Sequence, residues 1–154
     1  MADNVYDASF IGYANCSLGD PTPGRRDFLE KLIAAIVPVV SGTSRVRWNN
    51  TLRIEYDRLI KEHRNDVVDQ FFAMLTSGSA VFVARNRLRK HEDQDAEKCN
   101  WPYHDRHLIA AAVDGEDVTI HVTEERLGRC GASILRLFEI HVNHVEVVLP
   151  ETRT

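Results

Sequence analysis

The chain has 154 residues, 44% of them apolar and 27% charged, with a formal net charge of −4. That is enough for one domain, residues 1–154, with its own hydrophobic core and no need of disulfides or a structural metal. The acid excess excludes a protein that coats nucleic acid by bulk attraction, but not an enzyme that handles it through a local basic patch. Three widely spaced cysteines, Cys16, Cys99 and Cys130, make no disulfide framework and fit a reducing compartment. The opening Met1-Ala2-Asp3-Asn4 lacks the basic start of a signal peptide. The longest apolar stretch, Leu32 to Val40, is too short to span a bilayer and contains Pro38. A cytoplasmic protein without a membrane segment is expected.

In chain order, Val5-Tyr6-Asp7 reads as a first strand that stops at an acid, with Ser9 two residues on. Gly19 to Gly24 reads as a loop. Phe28, Leu29, Leu32, Ile33 and Ile36 recur at helical spacing, and Pro38 is expected to end that helix. Val39-Val40 is read as a short strand closed by Ser41-Gly42-Thr43-Ser44. Asn50 or Thr51 is suited to cap a helix with the stripe Leu52, Tyr56, Leu59, Ile60 and His63, which places Glu55 at the stripe's edge. A third helix carries Val67, Val68, Phe71, Phe72 and Leu75. Ala80 to Ala84, an unbroken apolar run, suits a buried parallel strand.

Arg85 to His104 is charged and weakly periodic, and is read as a long loop beside the active site with a helical turn of its own. Asp105 opens a helix with Leu108, Ile109, Ala111 and Ala112 inward. Val118 to Val122 is a strand, followed by Thr123-Glu124-Glu125 and a short helix that stops near Gly128 to Gly131. Phe138 to Val142 is the last strand, with Val145 to Leu149 extending or flanking it. The alternation of strands and helices predicts an α/β fold, a three-layer α/β/α sandwich around a mainly parallel sheet.

Ligand crevices in such sheets lie outside the carboxyl ends of the strands. Asp7 and the Thr123–Glu125 segment fall there directly, and Glu55 and Asp105 reach the same crevice from helices. Each acid also has an ordinary structural reading. Asp105 is a good helix N-terminal anion. Glu55 has Arg53 and Arg58 within helical reach. Glu125 can be first-turn decoration, with Glu124 as the functional acid instead. Arg85, Arg87, Arg89 and Lys90 form a basic run suited to phosphate, although Glu92, Asp93, Asp95 and Glu97 follow at once. Trp101 and Tyr103 suit either stacking on unpaired bases or covering the sheet's edge. Cys99, His104, His107 and His91 invite zinc but lack the paired spacing of a structural site.

The arrangement resembles the PIN domain family of metal-dependent ribonucleases. Tyr6-Asp7-Ala8-Ser9 is similar to that family's first motif, and Leu52 to Leu59 looks like the helix bearing its invariant Glu, here Glu55. Asp105 to Ala112 resembles the third motif, an Asp opening an Ala-rich helix. Val122-Thr123-Glu124-Glu125-Arg126-Leu127 stands in the place of a Thr-x-Asp-x-x-Leu motif, and Phe138 to Val142 looks like the closing strand. The resemblance runs through nearly the whole chain in order. It departs at Glu125, where the family has Asp or Asn, and in the longer segments 41–50 and 85–104.

The resemblance implies a hydrolase, an endoribonuclease of toxin or RNA-processing type that cuts single-stranded or loop RNA with Mg²⁺ or Mn²⁺. Asp7, Glu55, Asp105 and Glu125 would be its catalytic and metal-holding acids. Ser9, Thr123, Arg85 and Arg87 would serve substrate. A homodimer and an antitoxin-like protein partner are both compatible with it. The alternative is a non-catalytic PIN-like binding module for RNA or protein, with a drifted site. Hard cations favour carboxylate oxygens, and four acids without Lys or Arg partners repel one another unless an ion joins them.

Overall fold

A computed structural model describes residues 1–16 and 22–150. The strands are β1 (Asp3–Tyr6), β2 (Arg45–Trp48), β3 (Val81–Phe82), β4 (Val118–Val122) and β5 (His141–His144). They form one five-stranded sheet in the order β3-β2-β1-β4-β5, and every neighbouring pair is parallel. The helices are α1 (Ala8–Ala14), α2 (Pro23–Val40), α3 (Asn50–Leu59), α4 (Asp66–Leu75), α5 (Lys90–Lys98), α6 (Arg106–Ala112), α7 (Glu125–Gly128) and α8 (Gly131–Phe138). This is the expected three-layer α/β/α sandwich. Because all strands run the same way, every strand's carboxyl end opens on one edge of the sheet. Among the described residues no helix is long and apolar enough to cross a membrane.

The two-residue period of β1 divides its side chains between the two helical layers. Asn4 and Tyr6 face α1, α2 and α4: the Tyr6 hydroxyl donates to the Ala35 carbonyl at 2.7 Å, and its ring meets Phe71 edge-on. His121 of β4 stacks on Tyr6 in the same layer, 4.5 Å between ring centres. Asn143 donates to His121 Nδ1 at 3.0 Å, so Nε2 carries the proton and donates to Asn4 Oδ1 at 2.8 Å. Burial holds this imidazole neutral and depresses its pKa to about 3. Asp3 and Val5 face the other layer, covered by α6. There Asp3 takes Arg45 at 2.8 Å and Arg47 at 3.2 Å, while Arg47 Nε donates to the Ala111 carbonyl at 2.8 Å. The Asp3–Arg47 pair is buried on both sides, and each partner keeps the other from being an uncompensated charge.

Several expectations about elements are corrected. Val39-Val40 is the last turn of α2, which runs through Pro38. A proline lacks an N–H to donate, but here its carbonyl accepts from the Thr43 and Ser44 amides, so the helix end stays satisfied. The turn beyond contains Gly42 at φ 82°, the left-handed conformation that glycine adopts at no steric cost. The strand in this region is β2, which alternates Arg45 and Arg47 with Val46 and Trp48. Ala80 to Ala84 yields only the two residues of β3, at the sheet's edge, with Phe82 52% exposed. The segment 85–104 contains the nine-residue α5. Pro23 and Gly24 open α2, while Gly19 to Pro21 of the expected loop lie outside the described residues. Phe138 still belongs to α8, and the last strand is His141–His144. Val145 flanks it, donating its amide to the Val122 carbonyl at 3.0 Å.

Candidate active site

β1 ends at Tyr6, and Asp7 follows it at the sheet's carboxyl edge, in extended conformation at the N-cap position of α1. Its carboxylate makes no capping bond and is only 8% exposed. Ser9, one turn into α1, donates to Asp7 Oδ2 at 3.1 Å. Ser9 has a single proton, so the Thr123 hydroxyl, 3.1 Å away at the end of β4, donates to Ser9 in turn. This chain of hydroxyls ties Asp7 to the adjacent strand. Tyr56 of α3 donates its hydroxyl to the Tyr6 carbonyl, fixing the backbone just ahead of Asp7.

α3 carries Glu55 beside Tyr56. The helix is capped by Asn49, whose Oδ1 accepts from the Leu52 amide at 3.0 Å, in place of the expected Asn50 or Thr51. The Asn49 amide group donates to the carbonyls of Arg85 and His107, each at 3.0 Å. One buried side chain thus joins α3, the β3–α5 connection and α6. Glu55 touches His107 Nε2. Leu59 and His63 of the expected stripe are exposed, with Leu59 lying over Gly12.

Asp105 closes a short 3₁₀ turn (Tyr103–Asp105) and caps α6 in sequence position, although its side chain makes no capping bond. Trp101, fully buried, donates its indole N–H to the Asp105 carbonyl at 2.8 Å and anchors the turn. The sheet-covering role considered for Trp101 is therefore closer to its place than base stacking.

Electrostatics bind these groups into one site. Burial raises the Asp7 pKa to about 6, with the charges of Asp105 and Glu55 adding to the rise against Ser9 and His107. Asp105 is raised by burial, then by Glu124 and Glu55, while His107 and His104 pull it down. Burial disfavours a charged His107, but its contact with Glu55 and the charges of Glu55, Asp7 and Asp105 prevail and raise its pKa. Among the described residues neither Asp7 nor Asp105 has a Lys or Arg partner. His107, which the sequence offers only as a weak zinc ligand, is the basic group whose charge acts on both Asp7 and Asp105.

Glu125 and Glu124, the two candidates for the fourth acid, are placed differently. Glu125 is 73% exposed and turned to Arg129, 2.9 Å away one helical turn on. Of the two adjacent glutamates, Glu124 is the one whose charge raises the Asp105 pKa. In an extended-to-helix junction, consecutive side chains point apart, so a one-residue change of register moves the functional carboxylate. Glu124→Gln is therefore expected to reduce activity more than Glu125→Gln, at least tenfold in kcat/KM. Side-by-side kinetics of the two variants check it, and a larger loss in Glu125→Gln would reverse the assignment.

Arg85 is not free for phosphate. It contacts Glu92 and pairs with Asp114 at 3.0 Å, while Glu92 also accepts the Arg89 amide at 2.7 Å. Arg87 is exposed and lines a cleft of about 430 Å³ beside His107. The zinc set does not assemble: Cys99 is buried away in the core, and His91 and His104 are exposed.

The donor chemistry of Asp7, Glu55 and Asp105 suits a hard divalent ion. Among the described residues no three His, Cys, Asp or Glu side chains form a ready-made cage. Mg²⁺ does not require one, since it commonly takes one or two carboxylates and completes its shell with water and substrate phosphate. The fit rests on Asp7, a buried acid whose nearest charged neighbours include two further acids and no Lys or Arg. The fold and site thus define an α/β/α sandwich with an acid cluster at the carboxyl edge of its central strand. Comparison with protein-family models, curated proteins and solved structures gives no match for the chain.

Proposed function

We propose that this chain is a PIN-like, metal-dependent endoribonuclease that hydrolyses phosphodiester bonds in unpaired RNA at the Asp7 edge of the sheet. One observation carries the reading: Asp7 is buried beside Asp105 and Glu55 with no Lys or Arg partner among the described residues, and burial first, then the charges of these two acids, raises its pKa to about 6. A bound cation would relieve the repulsion among these acids. The bound Mg²⁺ or Mn²⁺ would neutralise charge on the phosphate and lower the pKa of a water.

The chain's own residues do the rest. Asp7 and Asp105 would hold the ion, and Ser9 keeps the Asp7 carboxylate in one rotamer through its hydrogen bond. Glu55, in contact with His107 through one carboxylate oxygen, would orient a water with the other. Glu124 adds negative charge on the Asp105 side. Net reaction adds water across a P–O bond of the backbone.

A labelled single-stranded RNA should be cut in Mn²⁺ or Mg²⁺ and left intact in EDTA. Millimolar Mn²⁺ should also raise the melting temperature by several degrees, because an ion bound only by the folded state stabilises it by mass action. A melting temperature indifferent to Mn²⁺, with no cleavage, would favour the non-catalytic binding module.

A further inference from the structure

The cleft beside His107 has contents that the nuclease reading does not use. It is walled by Thr51 at the start of α3, Asn86 and Arg87 from the β3–α5 connection, and Tyr103, Arg106 and His107. Two of the neighbouring arginines are occupied by carboxylates. Arg85 holds Glu92 and Asp114, and Arg106 reaches Asp93 at 3.3 Å and Glu97 at 2.7 Å. Arg87 has no ion pair among the described residues and is the cation this cleft can offer a ligand. Asn86 Oδ1 is taken by the amide and hydroxyl of Thr51, at 3.0 and 3.1 Å, which fixes its side-chain amide as a donor.

Tyr103 stands at the rim, 75% exposed, the most exposed large aromatic or aliphatic side chain of the described interior elements. It is not loose. The Arg106 guanidinium lies 5.3 Å from its ring centre, and His104 meets it edge-on at 6.0 Å. The turn that bears it is anchored by the Trp101–Asp105 hydrogen bond. Tyr103 lies two positions before Asp105, an axial rise of roughly 4 Å in a 3₁₀ turn. A flat aromatic face is thus held in water on the turn that carries Asp105, in a cleft also lined by His107, the contact of Glu55.

We propose that this cleft binds one unpaired base of single-stranded RNA next to the scissile phosphate, with Tyr103 as the stacking platform and Arg87 on the adjoining phosphate. The assignment rests on the nuclease reading above. Its chemistry matches strand binding by aromatic stacking with a backbone cation, which tolerates sequence because every base has a π-face. Duplex RNA keeps its bases stacked internally and offers none to Tyr103.

The test is fluorescence anisotropy with a fluorescein-labelled, unstructured RNA decamer in EDTA, followed by steady-state cleavage of the same RNA in Mn²⁺. Tyr103→Ala should weaken binding roughly 5- to 150-fold, the usual effect of losing one base stack. KM should rise in parallel, with kcat within a factor of about three and the melting temperature unchanged. Tyr103→Trp should bind like the parent. Arg87→Gln should weaken binding and flatten the salt dependence by about 0.7 in log–log slope, as expected for one lost phosphate contact on a single strand. Unchanged Kd and KM in Tyr103→Ala, in a protein that does cut RNA, would overturn the cleft and leave the nuclease reading standing. Tyr103-dependent binding by a parent that never cuts would support the cleft and remove the nuclease reading. A parent that neither binds nor cuts overturns both.

Discussion

Asp7→Asn is expected to abolish RNA cleavage, by at least a thousandfold, and at the same time to make the metal-free protein more stable at pH 7. The two effects share one cause. Burial and the neighbouring Asp105 and Glu55 raise the Asp7 pKa from 3.8 to about 6. A group whose folded pKa is raised gives stability that is fully present below its unfolded pKa and is lost as pH rises through the folded one. At pH 7 the parent therefore bears the full cost of an ionised Asp7, about 3 kcal/mol for two pKa units. Asparagine keeps the shape, can accept from Ser9 and carries no charge, so the variant should be more stable by up to that amount at pH 7. The advantage should fade between pH 6 and 4.

His121 sharpens that prediction, because it works with the opposite sign. Its pKa is lowered from 6.5 to about 3 by burial, so the stability it contributes is intact above pH 6.5 and declines as pH falls toward 3. In the parent, protonation of Asp7 offsets most of this loss, leaving a fall of about 1 kcal/mol between neutral pH and pH 4. In Asp7→Asn that offset is gone, and the fall should be larger than the parent's by about 2 kcal/mol. Urea denaturation of both proteins from pH 7.5 to 4 measures the difference. Parallel pH profiles would mean that Asp7 is not ionised against its surroundings at pH 7.

Asn49→Ala should be among the most destabilising single changes in the chain. Asn49 is fully buried, caps α3 through the Leu52 amide and donates to the carbonyls of Arg85 and His107. Losing the cap costs about 1 kcal/mol. Each buried carbonyl left without a donor costs about 1–3 kcal/mol more. A total of roughly 3–7 kcal/mol corresponds to a fall of about 10 °C or more for a chain of this size. Activity should fall even where the variant remains folded, because the same side chain sets α3 and α6, and so Glu55 and His107, in relation to each other. Asn49→Asp should not rescue it: its carboxylate can accept from Leu52 but cannot donate to either carbonyl. A thermal melt within about 3 °C of the parent would show that water replaces these bonds.

The parts of the fold that the sequence makes plain are those whose periodicity is uninterrupted. Asp7 after Val5-Tyr6, the α4 stripe with Phe71 and Phe72, and Val118 to Val122 are all found where their patterns place them. β2 is hidden because half of its residues are arginines, and Arg47 is buried with Asp3 across the strand to receive it, while Arg45 reaches the same carboxylate from a half-exposed position. A long-range ion pair leaves no trace in a local window. Val39-Val40 misleads because a proline near a helix end removes only one hydrogen bond, and the following turn satisfies the freed groups. Three of the candidate acids, Asp7, Glu55 and Asp105, come into one electrostatic group. Glu125 does not, since the choice between adjacent glutamates depends on where α7 begins, to the residue. His107 and Asn49 are legible only once α3 and α6 are side by side, as both act through contacts between segments dozens of residues apart.

The central claim is that Asp7, Asp105 and Glu55 form a divalent-cation site. Titration of Mn²⁺ into the protein at pH 7, with free Mn²⁺ followed by its EPR signal, tests it most directly because it needs no RNA. The parent should bind Mn²⁺ with a submillimolar Kd, Mg²⁺ should compete, and Asp7→Asn should weaken binding at least tenfold while remaining folded. Equal Mn²⁺ binding by the parent and a folded Asp7→Asn protein, or no binding by the parent at millimolar Mn²⁺, would contradict the account.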